Sequence, residues 1–161
     1  MSARVFASLE ELKAALGQPL GPTAWLAIGQ ERIDAFAEAT GDHQWIHVDR
    51  ERAAAGPLGG TIAHGYLTLS LIPHFGQQLF RLDLGQARVN YGVNKARFPA
   101  PVLAGSRLRA RAAFADLRES ATGVALTTRY TIEIDGGAKP ACVAETVTLL
   151  VSNLTPRLSK P

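Results

Sequence analysis

Between Gln30 and Thr40 the apolar residues Ile33, Phe36 and Ala37 fall at helical spacing, and Gly41 follows them. This predicts a helix over 30–40 with one buried stripe, closed by a glycine in the left-handed conformation that helix C-termini favour. Upstream, Ser8 with Glu11 three residues later forms a capping box, which predicts a short helix from Leu9 to Leu16 ending at Gly17. Gly21 and Pro22 then break the chain, and Thr23 to Ile28 reads as a first strand. Asp49 reads as the N-cap of a short helix over Arg50 to Ala55, stopped by Gly56-Pro57, with loop from Leu58 to His64.

From Gly65 to about Phe80 the residues are apolar over most of a helical circumference, which predicts a helix buried on nearly all sides. Pro73 and Gly76 predict a kink in its second half. Beyond it the period changes to two. Ser106 to Leu117 and Val124 to Ile134 alternate, Ala141 to Val151 is rich in β-branched residues, and Asp135-Gly-Gly marks a hairpin between the last two. Gln86 to Asn94 reads as a shorter fourth strand. One antiparallel sheet and one apolar helix place the chain in the α+β class, with the sheet wrapped around a long central helix. No internal repeat or linker interrupts residues 1–152, read as one domain, and the tail 153–161 is expected to be mobile.

Composition narrows the classes. With 47% hydrophobic and 19% charged residues, the 161-residue chain is globular and of a size for one core. No run is long and apolar enough to span a bilayer, and Met1-Ser-Ala-Arg-Val-Phe6 lacks the apolar centre of an export signal. The single cysteine, Cys142 between Ala141 and Val143, reads as a buried strand thiol, and a cytoplasmic location is the expectation. The net charge of +3 includes Arg107, Arg109 and Arg111 alternating with Leu108, Ala110 and Ala112, the pattern of a strand with one solvated basic face. A basic helix, a stacking series of aromatics and zinc-ligand spacing are all missing from the sequence, so nucleic acid is not an expected partner.

The candidate chemistry lies just past the first long helix, where Asp42 and His47 are five residues apart on what reads as a turn. A carboxylate beside an imidazole can exchange protons near neutral pH, but the same pair can also be structural, Asp capping a turn and His satisfying it. His43, His47, His64 and Asp49 lack a shared helix face and a zincin pattern, so no metal is expected, and His64 reads as packing or hydrogen-bonding at the start of the central helix. Asn90-Tyr91-Gly92 and Asn94 either line a channel or satisfy a strand edge. Trp45 is either a core anchor or a pocket wall.

Phe36, Gly41-Asp42, Ile46-His47 and Ala53 together resemble the motif of the MaoC-like dehydratases and (R)-specific enoyl-CoA hydratases of the hotdog-fold superfamily. Gln44-Trp45 stands where many of those hydratases carry Asn-Pro, which leaves the loop shape and the acyl pocket open. Two further blocks agree: Gly60-Thr-Ile-Ala-His64-Gly65-Tyr-Leu-Thr-Leu-Ser70 is similar to the family's lead into its central helix, and Arg97-Phe-Pro-Ala-Pro-Val102 with Gly105 to its Phe-x-x-Pro-Val turn. The resemblance covers roughly residues 20–152.

It implies a hotdog fold, a homodimer with sheets joined side by side, and reversible hydration of a trans-2-enoyl thioester to a (3R)-3-hydroxyacyl thioester by an Asp42/His47-activated water. At the start of the apolar helix the free backbone N–H of Gly65 is the candidate oxyanion donor, with simple helix entry the alternative. Ser70 matches a hydroxyl that supports the catalytic Asp in some relatives, the alternative being a bond to its own helix carbonyl. The chemistry requires no cofactor, with coenzyme A or an acyl-carrier-protein arm carrying the substrate. Lys95 and Arg97 are candidate cations for such a carrier. A thioesterase of the same fold and a non-catalytic acyl-binding protein are the alternatives.

Overall fold

The computed structural model of the chain describes residues 2–121 and 123–152, so the tail 153–161 lies outside the described residues. In chain order the elements are β1 (Arg4–Phe6), α1 (Leu9–Ala14), β2 (Leu26–Ala27), α2 (Gln30–Thr40), α3 (Trp45–Val48), α4 (Arg50–Ala54), α5 (Gly65–Ser70), α6 (Ile72–Leu79), β3 (Phe80–Leu82), β4 (Ala87–Arg97), β5 (Arg107–Ser120), β6 (Gly123–Ile134) and β7 (Cys142–Val151). Five strands form one sheet in the order β2-β5-β6-β7-β4, with antiparallel neighbours throughout. This is the α+β hotdog arrangement.

The inner face of the sheet closes on the central helical segment. Leu67, Leu71, Ile72, Phe75 and Leu79 share one buried cluster with Leu108, Phe114, Leu126, Ile132 and Leu150. Phe114 on β5 meets Phe6 edge-on at 5.2 Å and Phe80 at 4.9 Å, which ties the small parallel β1–β3 pair to the main sheet. Cys142 is fully buried there, and burial pushes its thiol up to about 11, as suits an inert strand residue.

Local chemistry explains the helix limits. Ser8 accepts from the Glu11 N–H at 3.2 Å while the Glu11 carboxylate takes the Ala7 N–H at 2.7 Å, so the capping box forms one residue out of its usual register. Asp49 caps α4 by accepting from Arg52 N–H at 3.0 Å. Gly41 closes α2 with φ of 74°.

Several boundaries differ from the sequence expectation. The first helix stops at Ala14, and of the segment 23–28 only Leu26 and Ala27 are regular strand, although the Thr23 and Ile28 N–H groups also bond to the Ala110 and Ser106 carbonyls. The strands β1 and β3, three residues each, carry no readable period. The central helix is two helices broken at Leu71, because Pro73 has no N–H to continue the ladder and starts α6 afresh. Nor is it buried all round: Tyr66, Ser70, Pro73, His74 and Gln77 form an exposed side. Strand β4, expected to be the short one, runs for 11 residues against 10 in β7 and carries two bulges, one at Tyr91 and one at Asn94. Among the described residues, no helix is long and apolar enough to cross a membrane.

The basic face of β5 is internally compensated. Arg109 and Arg111 donate to the two oxygens of Glu133 at 2.6 and 2.9 Å, Arg107 pairs with Asp135, and Arg109 also lies 4.5 Å over the Trp25 ring. Partial burial pushes the Glu133 carboxyl up, but the hydrogen bonds from Arg109 and Arg111 outweigh it and leave Glu133 below its ordinary value. A carboxylate held low when folded adds stability above its unfolded value, and that stability is lost as pH falls through the folded value. Acid titration should therefore lower the thermal midpoint below pH 4.5, the ordinary glutamate value, more steeply in wild type than in Glu133→Gln. Parallel slopes in the two proteins would refute the linkage.

Candidate active site

The site is assembled where α2, α3 and the segment leading into α5 converge. Helix α2 ends at Gly41, whose N–H returns to the Ala37 carbonyl at 2.8 Å, and Asp42 leaves the helix at once with its side chain 55% exposed. Among the described residues its carboxylate takes one hydrogen bond, a long one of 3.4 Å from the Gln44 N–H. His47 sits on the single helical turn α3, not on an irregular turn as the sequence suggested, and is only 6% exposed.

A third strip of chain completes the wall. Ile62 N–H bonds to Ile46 carbonyl at 2.9 Å, Ala63 N–H to Val102 carbonyl at 2.8 Å and Ala104 N–H to Thr61 carbonyl at 2.9 Å, so residues 61–63 are held on both sides. The Ile62 carbonyl then faces His47 Nδ1 at 2.7 Å. A carbonyl can only accept, so the proton of neutral His47 lies on Nδ1 and the lone pair of a base on Nε2.

His64 follows directly and is 3% exposed. Its Nε2 donates to the Asp42 main-chain carbonyl at 2.9 Å, and its ring stacks on His47 at 3.7 Å with planes 24° apart. The sequence alone places His64 at the helix start without a link to the pair; the structure joins it to both members. One carboxylate oxygen of Asp42, one nitrogen of His47 and one of His64 lie within 4.8 Å of one another.

Those three groups suit a water better than an ion. Two hydrogen bonds of about 2.8 Å each meeting on one oxygen span such a gap. An imidazole lone pair lies in the ring plane, so two stacked rings cannot both aim at one ion until one of them turns out of the stack. The other imagined ligands are placed elsewhere: His43 lies 3.6 Å from Glu38, and the Asp49 carboxylate caps α4.

Gln30, which no sequence pattern marks as functional, braces the site from behind. Its Nε2 donates to the His47 carbonyl at 2.7 Å and to Asp34 Oδ1 at 2.8 Å, and its Oε1 accepts from the buried Thr61 hydroxyl. A polar residue opening a helix without serving as its cap was the available signal.

The remaining candidates are placed as follows. Gly65 opens α5 with the Phe98 ring against it, so close that a Cβ would lie 2.9 Å from the ring. Ser70 donates to Tyr66 carbonyl at 2.6 Å, the back-bond common for a helical serine, and no bond joins it to Asp42. Trp45 lies under the Arg52 guanidinium at 4.4 Å and lines a small apolar cavity of about 80 Å³ with Ile46, Ala53 and Leu58. Asn94 donates to Glu145 at 2.9 Å across the sheet, while Asn90 and Tyr91 line a groove of about 460 Å³ against Leu69, Ser70 and Pro73. Lys95 and Arg97 stand exposed on β4, Arg97 donating to the neighbouring Ala96 carbonyl.

If Gln30 fixes the His47 backbone, Gln30→Ala strands the Thr61 hydroxyl, and unfolding in urea should show a loss of about 1–3 kcal/mol. A change below about 0.5 kcal/mol, the range of a neutral surface substitution, would remove Gln30 from the support of the site.

Comparison with known proteins identifies the family of the chain. The MaoC-like domain family model matches residues 11–135. The chain is 49% identical over 150 residues to 3-hydroxyacyl-thioester dehydratase Z of Mycobacterium tuberculosis, covering 92% of this chain and 99% of that protein. Among solved structures, an (R)-hydratase from A. caviae involved in PHA biosynthesis is 28% identical with a TM-score of 0.69, covering 84% of this chain and 96% of that one. A monoamine oxidase regulatory protein from Archaeoglobus shares the fold at 20% identity, with a TM-score of 0.75 over 95% of this chain and 99% of that one. With the matched model spanning the helix that delivers Asp42, the turn that carries His47 and the start of the central helix, the chain belongs to the MaoC-like dehydratase family.

Proposed function

We propose that this enzyme is an (R)-specific enoyl-CoA hydratase acting reversibly as a 3-hydroxyacyl-CoA dehydratase, with no cofactor and with the thioester as substrate. The observation that carries the reading is the contact of His47 Nδ1 with the Ile62 carbonyl, which commits the Nδ1–H there and leaves the lone pair on Nε2, together with a His47 nitrogen within 4.8 Å of an Asp42 carboxylate oxygen, the span of one shared water.

The proton balance needs no other group. Water adds through oxygen to C3 of a trans-2-enoyl thioester and gives one proton to the Asp42/His47 pair, and the pair returns one proton to C2. Negative charge grows meanwhile on the thioester oxygen. The Gly65 N–H, in the first turn of α5 where the helix itself offers no acceptor, is the assigned donor to that oxygen. Ser70 acts at most through the helix, given its bond to Tyr66. The 49% relative named for a 3-hydroxyacyl-thioester dehydratase and the (R)-hydratase structure support the substrate class and the stereochemistry.

The same reading makes the protein a cytoplasmic homodimer. Strand β4 is the edge of the sheet and exposed over most of its length, and Val89, Tyr91 and Val93 are 47%, 74% and 49% exposed on it. An unpaired edge carrying large apolar side chains is a surface for a second copy. Sedimentation should show a dimer for the wild type and a monomer for Tyr91→Glu with Val93→Glu. A monomeric wild type would overturn the pairing.

The enzymatic test is the loss of enoyl-thioester absorbance on adding crotonyl-CoA or a longer trans-2-enoyl-CoA, with chiral analysis of the product. Asp42→Asn and His47→Gln should each lower kcat by about 100- to 10,000-fold. Unchanged rates in both variants would end the catalytic assignment. Release of free thiol without hydration would indicate a thioesterase, and saturable binding without turnover an acyl-binding protein.

A further inference from the structure

We propose that His64 is a positioning residue for the Asp42/His47 pair, holding the main chain of Asp42 by its ring N–H and the plane of His47 by its ring face. The kinetic consequence rests on the hydration reading above; the geometric one does not.

Asp42 follows the helix stop at Gly41, and among the described residues its carboxylate has only the 3.4 Å contact from Gln44 N–H to fix it on the exposed side. On the buried side, His64 Nε2–H takes its carbonyl at 2.9 Å, and the same nitrogen lies 4.0 Å from Asp42 Oδ2. The direction of the carboxylate is thus set through the backbone that carries it. His47 has the complementary weakness. Its bond to Ile62 holds one ring atom, about which the ring can still pivot and carry Nε2 away from the shared water. The His64 ring at 3.7 Å blocks that pivot, and Phe36, 5.0 Å from His64 and tilted by 53°, backs it in turn.

The remaining atom of His64 points the same way. Its Nδ1 is buried with no hydrogen-bond partner among the described residues, the one such side-chain atom found there. A buried polar atom without a partner is unfavourable, so simple packing would be better served by an apolar ring and simple donation by an amide. Imidazole supplies both a donor in its plane and a flat face across it. That combination is what the two neighbours require.

Two variants separate the halves. His64→Phe keeps the face and loses the donor; His64→Gln keeps a donor and loses the face. Each should lower kcat for crotonyl-CoA by about 10- to 100-fold, the range expected for misplacing reacting groups, while KM stays within about twofold. Introduced into His47→Gln, His64→Gln should add almost nothing, because its target is already gone. A full multiplicative loss in the double variant, or a rise in KM with kcat intact, would overturn the proposal.

Imidazole nitrogen-15 spectra give a readout that needs no turnover. Wild type should show the Nε2–H tautomer for His64 and Nδ1–H for His47, and His64→Gln should leave His47 averaging between ring positions. Different wild-type tautomers, or a His47 indifferent to either substitution, would refute the positioning role even in an active hydratase. The expected spectra in a protein that hydrates nothing would sink the hydratase reading and leave the hold of His64 on the pair standing.

Discussion

The bond between His47 Nδ1 and the Ile62 carbonyl sets the terms for the rest of the site. Imidazole has one proton and two nitrogens when neutral, and a carbonyl across from one of them decides which nitrogen is left as a base. For that carbonyl to face the ring, the strip 61–63 has to be fixed to about the precision of a hydrogen bond. Three backbone bonds, to Ile46, Val102 and Ala104, achieve this by treating the strip as a short extension of sheet outside the main sheet. The Thr61 side chain adds a fourth tie through Gln30, which also holds the His47 carbonyl. The orientation of the His47 ring is in this sense a property of a loop made rigid from both sides.

The hotdog layout explains why such a strip exists. A single curled sheet buries one face of the α5–α6 segment, and the chain has to cross from α4 to the start of that segment without a strand of its own. Proline at 73 divides the helix just where the apolar side of the second half turns fully inward, at Ile72, Phe75, Gly76 and Leu79. Gly76 lies under the Tyr130 hydroxyl, 3.1 Å from where a Cβ would stand, so a small residue is required for the sheet to close to that distance. Burial raises the Tyr130 phenol well above its ordinary value, which makes it a packing group that stays neutral.

What was legible in the sequence is what depends on neighbours along the chain. Helix α2 and its Gly41 stop, the Asp49 cap and the alternation of β5 and β6 are set by spacings of two to four residues, and each is found where the pattern put it. Asp42 and His47 stood out because they flank such features. What was not legible depends on contacts distant in sequence. The three-residue strands β1 and β3 are strands because they have each other, and a four-residue helix such as α3 is too short to show a period. Gln30 reaches the His47 carbonyl across 17 residues, and His64 reaches Asp42 across 22. No pattern within either segment announces those bonds. The family motif pointed to Asp42 and His47 but carried no information about what keeps them aligned.

The exposure of the site and of the sheet edge belong to one argument. Asp42 is half exposed while its two histidine neighbours are buried, so the pair is a wall with an open side. Proton transfers to a bound thioester gain from exclusion of water, because electrostatic interactions strengthen as solvent leaves. The described chain has apolar surface in excess at Tyr66 and Phe98, 71% and 39% exposed, and these rings meet edge-on at 6.2 Å beside Gly65. The same flank continues to the uncovered strand β4 and the groove beneath Tyr91. A second copy lying against that edge would cover the apolar rings next to the assigned oxyanion donor and narrow the approach to it. The proposed dimer would then serve the proposed chemistry as well as the sheet, and loss of the edge contact is expected to weaken turnover even where every residue of the Asp42, His47 and His64 cluster is left in place.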